Sequence, residues 1–289
     1  MSVTAIYDVP APAKLNLFLH VRGRRPDGYH EIESAFMLID WCDTLHFERR
    51  SDGLLSREDL GEPLPADDLV LRAARALKAA SGTPLGAHIG IQKTIPTEAG
   101  LGGGSSDAAS CLLALARLWR LDLPLSEIAR IGLTLGADVP FFLGGRNAWV
   151  EGIGERLTPI ALPPARFVVL KPRQGLPTRD IFESADLPRN TAAAIMSGFA
   201  AAPWTFGQND LQAVARRLCP ELDEALHWLA SRGFVPRMTG SGSAVFAPVP
   251  EDSGGSVGSR RIVAGELPAG FVLRECGNLE THPLAGWVS

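Results

Sequence analysis

A run of small residues from Pro96 to Ser106 has a composition suited to phosphate binding. It reads Pro-Thr-Glu-Ala-Gly-Leu-Gly-Gly-Gly-Ser-Ser, with four glycines in five consecutive positions and two hydroxyls directly after them. Glycine has no Cβ, so the backbone N–H groups of such a run can approach an anion closely. The segment 107–121 is rich in Ala and Leu at helical spacing, and the N–H groups at a helix start attract anions. We therefore predict a phosphate site, in which Ser105 and Ser106 could contact phosphate oxygens or a phosphate-bound metal ion.

The same run also has a purely structural interpretation, in which Ser106 or Asp107 caps a helix after a flexible turn. Four glycines are more than a cap requires, which favours the phosphate interpretation. The run is not a common nucleotide loop. No Lys follows the glycines as in G-x-x-x-x-G-K-[ST], and the last glycine of G-x-G-x-x-G is missing.

A lysine and an asparagine near the N-terminus are predicted to share one face of a strand. In the segment 13–20 leucines alternate with other residues, and period-two spacing places Lys14 and Asn16 on the face opposite the leucines. The pair could line a polar cleft. A lysine in such a strand is more often a surface charge, and the residues alone favour that interpretation.

Asp138 and the Tyr29-His30 pair are the other candidates for chemistry. Asp138 stands between Ala137 and Val139, and carboxylates are rarely buried unless they are paired or functional. Aspartate is also a common cap and turn residue, so both interpretations stay open. Tyr29 and His30 follow an Asp-Gly turn, where they could stack on a planar ligand or simply begin a strand.

The elements around these residues mix strands and helices without strict alternation. Strands are predicted at 13–20, 32–39, 44–48, 86–92, 147–150, 167–170, 235–238, 244–247 and 271–275, and helices at 67–81, 107–121, 126–135, 209–218 and 220–231. A loop is expected over 21–30, and Asp67 and Gly82 are the predicted ends of the first helix. This pattern indicates the α+β class in two lobes.

Prolines at 159, 163 and 164 interrupt the pattern, so the domains are predicted to be 1–163 and 164–289. The polar, glycine-rich stretch 251–258 is predicted to be a mobile insertion without a catalytic role.

Composition excludes several classes of partner. Among 289 residues, 28 basic and 32 acidic side chains give a net charge of −4, which argues against nucleic acid or a membrane surface as a partner. No apolar run approaches the ~20 residues of a membrane helix, and no targeting signal is evident. The four cysteines are widely separated and contain no C-x-x-C, so we expect buried free thiols in a reducing cytoplasm.

Three segments, in order, resemble the signature of the GHMP small-molecule kinases: Pro12-Ala-Lys-Leu-Asn-Leu, the glycine run, and Thr239-Gly-Ser-Gly-Ser. The glycine run is similar to the family's P-x-x-x-G-L-G-G-G-S-S-x-A phosphate loop. Further likeness lies in Arg25-Pro-Asp-Gly-Tyr-His, Gly136-Ala-Asp-Val-Pro-Phe-Phe and Pro188-Arg-Asn, and the resemblance spans nearly the whole chain. These segments point to the branch of the family whose acceptor alcohol carries a cytidine diphosphate.

The resemblance implies an N-terminal ATP-binding lobe, a C-terminal ferredoxin-like α/β sandwich lobe, and an active site in the cleft between them. It implies ATP with Mg²⁺ as the donor and a small molecule, diphosphocytidyl-methylerythritol, as the acceptor, in a cytoplasmic monomer or weak homodimer. The residues that it implies for ATP are Pro96, Thr97, Glu98, Ala99, Gly100, Leu101, Gly102, Gly103, Gly104, Ser105 and Ser106. The metal ligands stay undetermined.

The resemblance also implies roles for individual residues. Asp138 matches the general base and Lys14 its partner, which fits phosphoryl transfer because a cation favours the charged carboxylate and attracts the phosphoryl group. Asn16 could bind the acceptor. The remaining substrate residues that the resemblance implies are Tyr29 and Phe182, which match the positions sandwiching cytosine, His30, which matches the position reading its polar edge, and Gly240 and Ser241 near the substrate diphosphate.

Two alternatives accompany this interpretation. A kinase for another alcohol would not be expected to combine Tyr29, His30 and Phe182. A nucleotide-binding regulator that has lost catalysis would be expected to have lost Lys14 or Asp138, and both are present.

Overall fold

A long antiparallel pair of strands forms the basis of the first sheet. The computed structural model describes residues 3–250 and 267–288. The strands β1 (Ala5–Arg24) and β2 (His30–Arg50) pair with each other along most of their length. The six-stranded sheet is completed by β3 (Leu55–Asp59), β4 (Gly86–Gln92), β5 (Ala148–Glu151) and β6 (Arg156–Pro159), in the order β3-β4-β2-β5-β6 with β1 on β2.

Four helices pack on this sheet through one apolar cluster. They are α1 (Leu69–Ser81), α2 (Gly103–Trp119), α3 (Leu125–Leu135) and α4 (Val139–Gly144). Nearly every side chain of α2 from Ser106 to Trp119 is buried, as expected of a helix enclosed on all sides. Its Ala and Leu content permits this, because small side chains let the neighbouring helices approach on every face.

The second sheet has four strands and its own helices. Its order is β10-β7-β9-β8, with β7 (Arg166–Lys171), β8 (Arg237–Met238), β9 (Val245–Pro248) and β10 (Val272–Gly277) all antiparallel to their neighbours. The helices of this part are α5 (Thr178–Glu183), α6 (Met196–Ala201), α7 (Gln212–Leu218) and α8 (Pro220–Ala230). A second apolar cluster joins α7 and α8 to this sheet.

A third apolar cluster fixes the two sheets against each other. Leu15 and Leu17 of β1 lie in it together with Phe167 and Val169 of β7. Because side chains alternate along a strand, this packing turns Lys14 and Asn16 toward the opposite face. Arg237 adds polar links, donating hydrogen bonds to the carbonyl oxygens of Leu17, Phe206 and Trp204 at 2.7–3.1 Å.

The structure corrects the predicted extent of the first strands. The loop expected over 21–30 shortens to the turn between Arg24 and His30, and the two strands predicted at 32–39 and 44–48 are one strand, β2. The gap between the two predicted strands covers residues 40–43. The structure has a bulge there, because Pro12 pairs with Cys42 whereas Ala13 pairs with Ile39.

Two helix starts also differ from the prediction. Asp68, not Asp67, caps α1 by accepting a hydrogen bond from the Leu71 N–H, while Gly82 ends the helix in the left-handed conformation as predicted. Helix α2 begins at Gly103 rather than at residue 107. Its N-cap is Gly102, and no side chain caps it, so the prediction of Ser106 or Asp107 as the cap is wrong.

Several short elements were not predicted: β3, β6, α4, α5 and α6. Each has six residues or fewer, too few for a periodic pattern to be distinctive. All four cysteines are free, as predicted, but Cys42 is half-buried rather than buried like the other three. None of the helices within 3–250 and 267–288 combines the length and apolarity needed to cross a membrane. The predicted insertion 251–258 lies outside the described residues.

Candidate active site

Lys14 connects three parts of the candidate site. Its Nζ lies 3.4 Å from Asp138 Oδ2 and donates to Asn16 Oδ1 at 2.5 Å. It also lies 4.6 Å from the centroid of the Phe36 ring, a cation–π contact. The side chain is 5% exposed, so the prediction of a surface charge is wrong. A buried lysine needs a partner for its charge, and Asp138 supplies one.

Asn16 is held in a single orientation by its neighbours. Its Nδ2 donates to Ser34 Oγ at 3.0 Å, and its own backbone N–H donates to Thr239 Oγ1 at 2.8 Å. Ser34 in turn donates to the carbonyl oxygen of Phe18. Because the Asn16 Nδ2 atom donates to Ser34, the Oδ1 atom of the same side chain faces Lys14. Asn16 is 1% exposed.

Asp138 stands at the start of α4 but does not cap it. No hydrogen bond from its side chain to the helix start is present, and Pro140 fills the first turn. The carboxylate is instead directed at Lys14 and is 29% exposed, which leaves it accessible from the cavity. The structural interpretation of Asp138 as a cap is therefore wrong, and the geometry is that of a carboxylate held beside a buried cation.

The glycine run places backbone without side chains on the cavity wall. Gly100 and Gly102 have φ of 72° and 73°, which favours glycine over any residue with a Cβ. A Cβ at Gly102 would lie 3.2 Å from Lys14 Cε, so the absence of side chains brings this backbone against the lysine. The first helical bond runs from the Ser106 N–H to the Gly102 carbonyl, leaving the N–H groups of 103–105 outside the ladder.

The second small-residue loop lies directly against the glycine run. The N–H groups of Ser243 and Ala244 donate to the carbonyl oxygens of Glu98 and Ala99 at 3.1 Å. A Cβ at Gly100 would lie 2.2 Å from the Thr239 carbonyl oxygen, so the two backbones are in contact. Each half of the chain therefore contributes one wall of the same site.

A buried ion cluster connects the two ends of the glycine run to the first sheet. Lys93 contacts the carboxylates of Asp43 and Asp107, and Asp43 also accepts hydrogen bonds from the N–H groups of Thr94 and Ile95. Burial raises the pKa of the Asp107 carboxyl to about 8, although Lys93 opposes the shift. The cluster joins β2, the end of β4 and the start of α2, so it fixes both ends of the run.

An aromatic group forms the opposite end of the site. The rings of His30 and Phe182 are 5.1 Å apart at an interplanar angle of 35°, and Tyr29 is 60% exposed beside them. Burial, with the charges of Arg189 and Arg24, lowers the pKa of His30. Tyr29, His30 and Phe182 therefore lie together on the wall of one cavity.

One cavity of about 1080 Å³ brings nearly all the predicted site residues together. Its wall includes Lys14, Asn16, Tyr29, His30, all of 96–105, Asp138, Phe182, Gly240 and Ser241. Ser106 is not on the wall: it is fully buried, and its Oγ has no hydrogen-bond partner among the residues that the structure describes. A cavity of this size lies at the upper end of the range for ligand pockets in proteins.

Sequence reasoning missed other residues of the wall. Lys93, Thr178 and Arg24 line the cavity, and Thr178 Oγ1 lies 2.8 Å from Ser241 Oγ. Lys93 carried one signal, its place between a buried strand and the glycine run. Thr178 and Arg24 carried none, because contacts between distant segments leave no mark on local pattern.

The residues fit a polyphosphate better than a protein-held metal. Within the described part of the chain no three His, Cys, Asp or Glu side chains cluster as a metal site. Mg²⁺ commonly binds through phosphate oxygens and water with one or two protein ligands, and such binding needs no cluster. The glycine backbone, the uncapped start of α2 and Lys14 meet the requirements of an anionic ligand.

Two family models match the chain. The N terminal domain of GHMP kinases matches residues 68–146, and the C terminal domain of GHMP kinases matches residues 190–260.

Similar proteins match over nearly the full length. The chain is 62% identical over 283 residues to the 4-diphosphocytidyl-2-C-methyl-D-erythritol kinase of Albidiferax ferrireducens, covering 98% of this chain and 96% of that protein. It is 61% identical over 300 residues to the protein of the same name from Variovorax paradoxus, covering 99% of each.

Solved structures show the same fold. A crystal structure of 4-(cytidine 5′-diphospho)-2C-methyl-D-erythritol kinase has a TM-score of 0.74 at 38% identity, covering 93% of this chain and 98% of that one. A homoserine kinase from Cytophaga hutchinsonii has a TM-score of 0.70 at 14% identity, covering 98% and 96%, which is a likeness of fold alone. The predicted α+β class and two-part GHMP fold are confirmed.

Proposed function

This chain belongs to the GHMP kinase family, and on that basis we propose that it phosphorylates 4-diphosphocytidyl-2-C-methyl-D-erythritol at its 2-hydroxyl, with ATP as donor. The reaction serves the non-mevalonate route to isoprenoid precursors. Relatives with about 60% identity over nearly the whole chain carry the name of this kinase.

One observation carries the proposal most directly. The Lys14–Asp138 pair lies in the same cavity as the glycine run and the aromatic group of Tyr29, His30 and Phe182. A kinase acting on this substrate needs a phosphate-binding wall, a base beside the acceptor hydroxyl, and a place for a pyrimidine ring. The cavity offers all three, arranged around Lys14 and Asp138.

We assign the proton transfer to Asp138. Its carboxylate is accessible from the cavity and can accept the proton of an acceptor hydroxyl within hydrogen-bond reach. Lys14 balances the carboxylate charge before transfer and places a cation near the phosphoryl group as negative charge develops. Asn16, oriented by Ser34, is the proposed contact to the acceptor.

We assign the triphosphate to the glycine run. The residues 96–106 would hold it through backbone N–H groups, with the N–H groups at the start of α2 directed at the phosphates. Mg²⁺ would neutralise phosphate charge when bound, and Ser105 is a candidate contact on the cavity wall. Ser106, buried behind the wall, would need a shift of the helix start to reach it.

We assign the cytosine to the aromatic group. Tyr29 and Phe182 would stack on the two faces of the ring, and His30 would hydrogen-bond its edge. Gly240 and Ser241, on the wall between this group and the glycine run, are proposed to lie near the substrate diphosphate.

The remaining proposals concern the whole protein. We propose domains of 1–163 and 164–289, and action in the cytoplasm as a monomer or weak homodimer on a small molecule, without a nucleic-acid or membrane partner.

A panel of acceptor alcohols tests the proposed reaction. Purified protein with ATP and Mg²⁺ is given diphosphocytidyl-methylerythritol, mevalonate or homoserine, and ADP release is followed. We expect ADP only with the cytidine-containing acceptor. Equal or faster release with either of the other two would reject the substrate, and a folded protein that binds ATP but releases no ADP with any of them would reject the kinase.

A further inference from the structure

Arg189 makes a set of hydrogen bonds that the proposed reaction does not use. It lies after α5, half-buried, and its guanidinium donates to four acceptors, namely His30 Nε2 at 3.0 Å, the Phe182 carbonyl at 3.2 Å, the Ser184 carbonyl at 2.7 Å and the Leu187 carbonyl at 3.1 Å. Within the described residues no carboxylate forms an ion pair with it. Its charge is balanced instead by carbonyl oxygens at the end of α5, the end of a helix that favours a cation.

The contact with His30 fixes which ring nitrogen carries the proton. A guanidinium has only donors, so the Nε2 atom that receives its hydrogen bond must be an acceptor. The ring is then neutral, with its hydrogen on Nδ1. The Nδ1 atom has no hydrogen-bond partner among the residues that the structure describes, and the ring lies on the cavity wall. A single N–H donor is thereby left for a ligand.

The contact with the Phe182 carbonyl fixes the end of the helix that carries the Phe182 ring. The guanidinium nitrogen that reaches the Phe182 carbonyl also reaches that of Ser184, so it holds the end of α5. The same side chain therefore sets the position of the His30 ring on β2 and of the Phe182 ring on α5. These rings lie 5.1 Å apart although their segments are distant in the sequence.

We infer that Arg189 is a positioning residue for pyrimidine recognition: it holds His30 as the Nδ1–H tautomer and holds the end of α5, which carries Phe182, beside the His30 ring. The inference rests on the proposed function. Cytosine presents a carbonyl oxygen and a ring nitrogen as acceptors, and the Nδ1–H group of a neutral His30 is the matching donor. A protonated or inverted imidazole would lose the bond from Arg189.

The direct test is the protonation state of His30 in the unchanged protein. Long-range proton–nitrogen NMR spectra distinguish the two neutral tautomers and the charged ring. At neutral pH we expect the Nδ1–H tautomer. An Nε2–H tautomer or a charged ring would overturn the inference without any variant.

Kinetics of an Arg189→Gln variant test the effect on binding. We expect KM for the cytidine-containing acceptor to rise about tenfold, with kcat and KM for ATP within about twofold, because the residue acts on one subsite only. The matched control is Arg217→Gln, since Arg217 is a nearby exposed arginine paired with Asp186 outside the cavity. If Arg189→Gln does not fold, Arg189→Lys, which keeps the positive charge but places its donors on a single nitrogen, carries the same comparison.

The pH profile adds a result that a merely structural role would not give. The charged groups facing His30 are Arg189 and Arg24, and both lower its pKa together with burial. Removing Arg189 should therefore raise the pKa, so that the His30 ring, followed by NMR titration, should protonate at a higher pH in Arg189→Gln than in the unchanged protein. An unchanged KM and pH profile would overturn the inference. A lower kcat together with a higher KM for both substrates and a lower Tm would also overturn it.

The failure of the proposed function has a different signature. Cytidine 5′-diphosphate serves as the probe for calorimetric binding to the unchanged protein. Absence of binding together with absence of turnover would reject both the function and the inference. Binding and turnover that are unaffected by Arg189→Gln would reject the inference alone.

Discussion

At the scale of single residues, the site depends on Lys14, a buried cation that contacts three different groups. Lys14 contacts the Asp138 carboxylate, the Asn16 amide oxygen and the Phe36 ring, and each interaction fixes the ammonium group in a different direction. The carboxylate of Asp138 is held beside this cation without forming a close ion pair. The separation of 3.4 Å between Lys14 Nζ and Asp138 Oδ2 leaves room for the carboxylate to accept another hydrogen bond.

Asp138→Asn should remove catalysis while leaving nucleotide binding intact. The amide keeps the size of the side chain but cannot take the proton of the acceptor, so kcat should fall by roughly a thousandfold or more. Nucleotide affinity, measured by calorimetry, should stay within about twofold because the glycine run is untouched. Asp122→Asn, at an exposed position between α2 and α3, is the control. Turnover that survives in Asp138→Asn would mean that another group is the base.

Tyr29→Ala should weaken acceptor binding and leave folding unchanged. Tyr29 is 60% exposed, so its removal costs little stability, but a stacked ring would lose one of its two faces. We expect KM for the acceptor to rise about tenfold with Tm unchanged.

The chain offers a close control for this test. Its other tyrosine, Tyr7, is 57% exposed and donates to Glu48 outside the cavity. Tyr7→Ala should leave both KM values unchanged, and an equal effect of the two substitutions would exclude a specific role for Tyr29.

At the scale of elements, the glycine run and the second small-residue loop depend on each other. Gly100 has φ of 72°, and a Cβ there would lie 2.2 Å from the Thr239 carbonyl oxygen, which is backbone and cannot rotate away. Gly100→Ala should therefore force the two loops apart and lower the free energy of unfolding by about 2–4 kcal/mol.

Chemical denaturation with a matched glycine measures this effect. Gly144, at the end of α4, has no heavy atom within 4 Å of the position of its Cβ. Gly144→Ala should change the free energy of unfolding by less than about 1 kcal/mol. We also expect weaker ATP binding in Gly100→Ala only, and equal stability of the two variants would contradict the loop contact.

The elements that sequence predicted well are those whose pattern is set locally. The strand Gly86–Gln92 and the helix start at Pro220 agree with the prediction because a buried alternation and a first-turn proline are local signals. The shared face of Lys14 and Asn16 followed from period-two spacing and is confirmed by their hydrogen bond.

The elements that sequence missed depend on distant partners. The strand β1 extends through Pro10 and Pro12, which normally argue against a strand. They are tolerated because β2 is the strand of the sheet that pairs with β1, which leaves the other edge of β1 without a paired strand. A proline, which lacks an N–H, costs no sheet hydrogen bond where its nitrogen faces that edge. The contact between Lys14 and Asp138 likewise could not be predicted from spacing, since it requires both the sheet and α4 to be in place. The family resemblance, not local pattern, pointed to that pair.

At the scale of the whole molecule, residues near the C-terminus pack against the apolar cluster of the first sheet, and one residue of this segment is titratable. His282 is 2% exposed, its Nδ1 accepts from the Leu284 N–H, and its Nε2 is buried without a partner within 3–250 and 267–288. Burial lowers the pKa of His282 from 6.5 to about 4. The unfolded chain therefore takes up the proton first as pH falls, and stability present above pH 6.5 is lost between pH 6.5 and about 4.

His282→Asn should remove this part of the pH dependence. Asn keeps an acceptor near the position of Nδ1 but does not titrate, so up to about 3 kcal/mol of acid-induced loss in the free energy of unfolding should disappear. Urea unfolding at several pH values measures the slope. The same substitution at His227, exposed on α8, is the control. An unchanged slope in His282→Asn would show that other groups cause the acid sensitivity.

The most direct measurement of the proposed reaction is the identity of the product. Protein, ATP and Mg²⁺ are incubated with diphosphocytidyl-methylerythritol, and the product is analysed by phosphorus and carbon NMR. We expect a new phosphomonoester whose phosphorus couples to the tertiary carbon and to its methyl group, which places the phosphate on the 2-hydroxyl. A phosphomonoester whose phosphorus shows no coupling to the methyl carbon, or free phosphate with an unchanged acceptor, would contradict the assignment of this chain as the kinase of that hydroxyl.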